Sequence, residues 1–170
     1  MIPSDATKEE IALYTQGLCH VFAIALHRRF GWRVQLVLDQ AERYWEDPAD
    51  ADNYIPSVVH ALAIDEHGNA WDVRGVRAMR AIRKELQSWV YVVEYDTEEL
   101  RDESELSTYV GCWADDGEEP IDRPLDEYSE EDVIAAEVIA VRCVASLTDQ
   151  LKESERPSLA APSDCSPNWR

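Results

Sequence analysis

Val21-Phe22-Ala23-Ile24-Ala25-Leu26 leaves no polar face over two helical turns, so the pattern predicts a helix from Leu18 to Phe30 that lies in the core. Gly17 breaks the chain before it, and Gly31 is placed to end it. Upstream, Asp5 or Thr7 can cap a short helix through Ala12 to Thr15. Downstream, Arg33 to Leu38 alternates and then runs apolar, as a buried strand does. Val58 to Ile64 reads as a strand, Asp65 to Asn69 as a hairpin turn and Ala70 to Val73 as the partner strand. Val76 to Ser88 has helical spacing. Trp89 to Tyr95 is β-branched and aromatic and reads as a further strand, and Glu98 to Leu106 as a short helix. Asp39 to Ser57 reads as a long loop, a binding element or a disordered one, in which Trp45 and Tyr54 serve as anchors pinning it or as part of a lid over a site. The acidic stretch from Cys112 to Leu125 reads as another loop. Ser129 caps the last helix, with Asp132 at its third position and apolar residues from Val133 to Leu147. The expectation is one α+β domain over residues 1–152, with a central buried helix packed on an antiparallel sheet. Pro157, Pro162 and Pro167 predict a disordered tail over 153–170.

Charge narrows the partners. The chain of 170 residues has a formal net charge of −19. Between Glu94 and Asp132 stand 17 acidic residues against only Arg101 and Arg123. Such a surface disfavours direct binding to a phosphate backbone, which takes clusters of Lys and Arg. It fits a solvated face, a docking face for a basic protein, or imitation of a nucleic acid. Arg74, Arg77, Arg80 and Arg83, at three-residue spacing, read as a solvated helix face answering that acid, or as an anion site beside a cleft. Cys19, Cys112, Cys143 and Cys165 form no C-x-x-C pair and no zinc spacing, so they read as separate thiols in a reducing, cytoplasmic setting. No apolar run approaches the roughly 18 residues of a membrane span, and the start lacks the basic and apolar regions of a signal peptide. No cofactor is implied. His20 and His27 share a helix face, but no carboxylate or further cysteine joins them at helical spacing, so no metal site is expected.

The chemistry concentrates at three positions. Cys19 falls in the first turn of the central helix, where unpaired N–H groups and the positive dipole end favour a thiolate. His60 lies on one hairpin strand and Asp72 on the other. Cysteine catalysis uses such a thiolate, a base within hydrogen-bond reach, and a third group that orients the imidazole. A three-residue loop at Glu66-His67-Gly68, with Gly68 left-handed, pairs Asp65 with Asn69. That register sets Asp72 opposite Leu62, on the same face as His60. A two-residue turn would put it on the other face. Taken singly, each residue also fits a plainer role: Cys19 as a small core residue, His60 as a satisfied core histidine, Asp72 as a turn cap. His67 reads as an exposed turn residue.

Gly17-x-Cys19 opening a buried helix, a strand bearing His60 and a strand carrying Trp71-Asp72 together resemble the papain-like and transglutaminase-like cysteine enzymes. The likeness covers about a third of the chain, from Gln16 to Arg74. It implies a nucleophile at a helix N-terminus packed on an antiparallel sheet: Cys19 as nucleophile, His60 as general base and acid, Asp72 as the orienting group. Gln16 and Trp71 are the candidates for oxyanion or substrate contacts. Because Gln16 stands only three residues before the cysteine, the backbone N–H of Cys19 is the better oxyanion donor. The expected function is a cysteine-dependent hydrolase or acyltransferase acting on an amide or thioester, whether a peptide, a protein side chain or a small molecule. The alternative is a non-enzymatic acidic inhibitor or adaptor that meets a basic partner through residues 94–132.

Overall fold

The structure, a computed structural model, describes residues 2–39, 57–89, 95–113, 121–122 and 125–154. It is an α+β fold. A six-stranded antiparallel sheet has the order β1-β5-β4-β3-β2-β6. Its strands are β1 (Ile2–Pro3), β2 (Arg33–Asp39), β3 (Val58–Ile64), β4 (Ala70–Asp72), β5 (Gly75–Arg77) and β6 (Tyr95–Leu100). The helices are α1 (Lys8–Thr15), α2 (Cys19–Phe30), α3 (Met79–Trp89) and α4 (Glu130–Ser154).

Helix α2 is the centre of the larger core. Every residue from Cys19 to Leu26 is buried, as its unbroken apolar run requires. Phe22, Ile24 and Leu26 each contribute on the order of 1.5–3 kcal/mol by leaving water. The same core takes Leu36 and Ala61 from one face of the sheet and Ala136 and Leu147 from α4. The opposite face packs Val37, Leu62 and Ile64 against Ile82 and Leu86 of α3. Two helices are closed locally at their starts. Thr7 and Glu10 form a reciprocal capping box on α1, and Ser129 and Asp132 do the same at the start of α4.

The hairpin has the register that Gly68 requires. Ala63 faces Trp71 and Ile64 faces Ala70. Gly68 has φ +80° and donates its N–H to the Asp65 carbonyl at 3.0 Å, while the Asp65 N–H reaches Asn69 O at 3.1 Å. The left-handed residue makes glycine the best fit to this three-residue loop.

Elsewhere the elements differ from the sequence expectation. Residues 75–77 are strand, not helix: Gly75 and Arg77 are buried with Val76 half-buried between them, and the segment pairs with both β4 and β1. Helix α3 starts at Met79 and runs through Trp89, where a strand was expected; residues 90–94 lie outside the described residues. The strand begins at Tyr95 and runs on through Glu98 and Glu99, which the sequence pattern assigns to a helix. β6 is an edge strand with a solvated side, so acidic residues cost it little and guard it against pairing with other chains. A 3-10 helix follows at Glu103–Thr108. Within the expected loop after it, β7 (Cys112–Trp113) and β8 (Ile121–Asp122) form a two-stranded ladder. Residues 40–56, with the aromatic loop, and 155–170, most of the expected tail, lie outside the described residues. Glu153 and Ser154 complete α4. No described helix is long and apolar enough to cross a membrane.

Much of the acid between Glu94 and Asp132 is spent on this fold. Arg28 of α2 forks onto Glu103 at 2.7 and 2.9 Å and reaches Glu130 at 2.7 Å, tying α2 to the 3-10 helix and to α4. Glu99 pairs with Arg33, Asp102 caps the 3-10 helix, and Glu98 accepts from the Tyr109 hydroxyl.

Candidate active site

Cys19, His60 and Asp72 come together at the start of α2. Leu18, the N-cap, brings no side-chain acceptor to the first-turn N–H groups, which leaves the positive end of α2 to Cys19. Just before it, Gly17 adopts φ +109°, and a Cβ there would stand 3.1 Å from an Asp126 carboxylate oxygen. The bend into α2 therefore depends on a residue without a side chain.

His60 is delivered by an irregular strand. Val37 faces His60 and Leu38 faces Val58, so Val59 is an extra residue on β3. Such a bulge breaks the alternation of side chains and sharpens the local twist. It directly precedes a ring that meets Cys19 from α2 and Asp72 from the next strand. His60 Nε2 lies 3.3 Å from Asp72 Oδ2, with both side chains 2% exposed. A carboxylate only accepts, so Nε2 carries the proton and Nδ1 is the nitrogen left to exchange one with the thiol.

The electrostatics follow from these contacts. Burial pushes the Cys19 thiol up, but contacts with the His20 and His60 rings outweigh it and bring it down to about 6. Burial likewise disfavours a charged His60, yet Asp72 and Cys19 raise it to about 9. Asp72 sits well below the usual carboxylate range: burial opposes its charge, and His60 and Arg74 stabilise it. Between about pH 6 and 9 the arrangement favours a thiolate–imidazolium pair.

His20 was not expected to face Cys19 from the adjacent helix position. Its ring nonetheless lies close enough to stabilise the thiolate. It is fully buried, stacks edge-on against Tyr128, and sets Nε2 3.1 Å from the Asp126 carbonyl oxygen. Its Nδ1 has no well-aligned hydrogen-bond partner among the described residues. His27 instead sets Nδ1 2.7 Å from Trp32 O, and His67 is exposed in the turn. Gln16 is exposed at the C-cap of α1. Trp71 donates Nε1 to Asp65 at 2.8 Å and packs on Trp32 with ring centres 4.7 Å apart.

The arginine row does not form one helix face. Arg80 and Arg83 are exposed on α3, but Arg74 lies in the β4–β5 turn and Arg77 is buried on β5. Both reach the carboxylate that holds His60. Arg74 Nη2 and Nε approach Asp72 Oδ2 at 2.5 and 3.1 Å, and the Arg74 backbone N–H donates to Oδ1 at 2.8 Å. Arg77 Nη1 is 3.5 Å from Oδ2. The other arms of both guanidiniums pair with Glu85 of α3. Three-residue spacing hid this arrangement, and a strand of only three residues carries no period that would reveal it. Among the described residues, no group of three or more His, Cys, Asp or Glu side chains is placed to hold a metal.

Comparison with protein-family models, curated proteins and solved structures finds no match to this chain.

Proposed function

We propose that this protein is a cysteine-dependent hydrolase or acyltransferase with a papain-like or transglutaminase-like core, acting on an amide or thioester through Cys19, His60 and Asp72. The observation that carries the reading is His60 in contact with both a helix-start thiol and a buried carboxylate. In the first half-reaction the Cys19 thiolate attacks the carbonyl carbon, and the oxyanion is met by the Cys19 backbone N–H. His60 then passes its proton to the departing amine or thiol, leaving an acyl group on sulfur. In the second, His60 takes a proton from water or an acceptor amine as it attacks the thioester, and the thiolate is released. Asp72 holds the ring and stabilises its charge throughout. The chemistry needs Cys19 as a free thiol and so suits a reducing compartment such as the cytoplasm.

The rate of iodoacetamide alkylation at Cys19 against pH, in the wild type and in His60→Ala, tests the reading. The expected profile rises near pH 6 in the wild type and moves towards the free-thiol value of about 8.5 in the variant. A Cys19 that is inert, or that reacts identically in both proteins, overturns it and returns the search to an adaptor role for residues 94–132. Binding of a basic partner there would weaken steeply with salt and would survive Cys19→Ala.

A further inference from the structure

Asp72 does more than hold His60; it is one corner of a closed ring of charges. Arg74 and Arg77 both bind it, and both also bind Glu85, which reaches in from α3. The ring holds two positive and two negative groups and is neutral as a whole. Its members are well withdrawn from water: side-chain exposure is 2% for Asp72, 4% for Arg77, 16% for Arg74 and 26% for Glu85. Oδ2, the oxygen that faces His60, is shared with both guanidiniums, and one Arg74 contact is 0.8 Å shorter than the His60 contact. A carboxylate so occupied attracts an imidazolium less than a solitary one would, because two cations stand behind it. Glu85 works against this by neutralising those cations from the far side.

The geometry points to Arg77 and Glu85 as positioning residues that set the proton affinity of His60 in opposite senses, so that α3 tunes a site built on α2, β3 and β4. This rests on the triad reading, because His60 matters as an acid and base only there. The balance has a chemical purpose. A histidine held too firmly as imidazolium cannot take the proton of the second nucleophile, and one held too loosely cannot stabilise the thiolate. Among the described residues, the charged and titratable groups of this network are Cys19 and His20 on α2, Asp72 and Arg74 at β4 and its turn, Arg77 on β5 and Glu85 on α3. Asp39 on β2 and its cross-strand neighbour Tyr95 on β6 stand near the same end of the sheet. Of these, Arg77 and Glu85 differ in sign, and the contacts that link them to His60 run through Asp72.

The test is an NMR titration of the His60 imidazole in the full chain. Arg77→Met removes a positive charge and is expected to raise the His60 pKa by about one pH unit; Glu85→Gln removes a negative charge and is expected to lower it by a similar amount. The double variant restores neutrality and should return close to the wild type. Simple loosening of the fold would not move the two single variants in opposite directions. Should Arg77→Met fail to fold, the fall in Glu85→Gln decides alone. Shifts in the same direction, or no shift, overturn the proposal. His60 titrates whether or not Cys19 is reactive, so a failure of the triad reading appears separately, as alkylation indifferent to His60→Ala.

Discussion

Cys19 and Cys143 are both free thiols on helices, 6% and 2% exposed, and their proton affinities move in opposite directions. Burial drives Cys143 up to about 11; Ser4 offsets little of that, and Asp5 adds to it. Arg142, its neighbour in sequence, is occupied by Asp5 and Glu10. Burial presses on Cys19 in the same sense, yet that thiol falls to about 6. The difference lies in what each thiol touches. Cys143 sits mid-helix within a capped surface network. Cys19 opens a helix and meets two imidazoles, one of them backed by a carboxylate and a neutral ring of ions. A buried cysteine is inert by default, and becomes a nucleophile only where the fold brings compensating charge to it.

The strongest way to break this comparison is to exchange the roles of the two thiols. Cys19→Ala is expected to reduce turnover of any acyl substrate by about 10⁶-fold, the scale on which loss of a nucleophile registers. Cys143→Ala should leave the rate within about twofold, since it removes a buried sulfur that touches none of the three triad side chains in the interactions that shift it. Steady-state assay of both variants checks this, and a Cys143→Ala protein as inactive as Cys19→Ala would refute it. Next in size is the partner. With His60→Ala, alkylation of Cys19 at pH 6.5 should slow by about 100-fold as the thiolate fraction collapses, while Cys143 labels as slowly as before. Peptide-resolved mass spectrometry separates the two sites.

Most of what builds the Cys19 side of the comparison was legible in the sequence. An unbroken apolar run specified α2, and a turn whose glycine had to be left-handed specified the hairpin register. Both are local signals. The environment of the thiol was less legible, because it depends on contacts distant in the chain. The bulge at Val59 cannot be read from a strand that, His60 apart, is wholly apolar. The ring of ions needs Arg77 on a strand of three residues, too short to show a period, and Glu85 from a helix on the other side of the sheet. The approach of Asp126 to Gly17 and His20 spans more than a hundred residues. The end of β6, from Glu98 to Leu100, reads as helix because its solvated side carries the same residues that a helix surface would.

Stability against pH sharpens the contrast on a smaller scale. Cys19 is depressed in the folded state, so its contribution is full above the unfolded thiol value near 9 and fades as pH falls through about 6. Cys143 is raised, so its contribution is full below about 9 and is lost as pH climbs towards 11. Thermal or urea unfolding of Cys19→Ser against the wild type should therefore diverge with rising pH between 6 and 9, by on the order of 2 kcal/mol. Cys143→Ser should part from the wild type only above pH 9, losing less stability there. The fixed cost of each substitution does not depend on pH, so the slopes carry the result. Parallel curves would mean that the two thiols ionise alike.

The smallest effect tests whether the turn matters to the site beyond setting its register. Gly68 has φ +80°, and a Cβ added there would meet nothing within 4 Å, so Gly68→Ala brings backbone strain and no clash. The expected loss is about 1 kcal/mol in urea unfolding. Ala63–Trp71 and Ile64–Ala70 pairing is also held by the buried faces of β3 and β4, and a slip of one residue would turn Asp72 away from His60. That penalty far exceeds the strain, so the variant should keep the native register and the alkylation profile of Cys19, and Cys143 should be untouched. A Cys19 that loses its low pKa in Gly68→Ala would show that the hairpin has two registers of similar energy. The turn glycine would then be a determinant of reactivity as well as of stability.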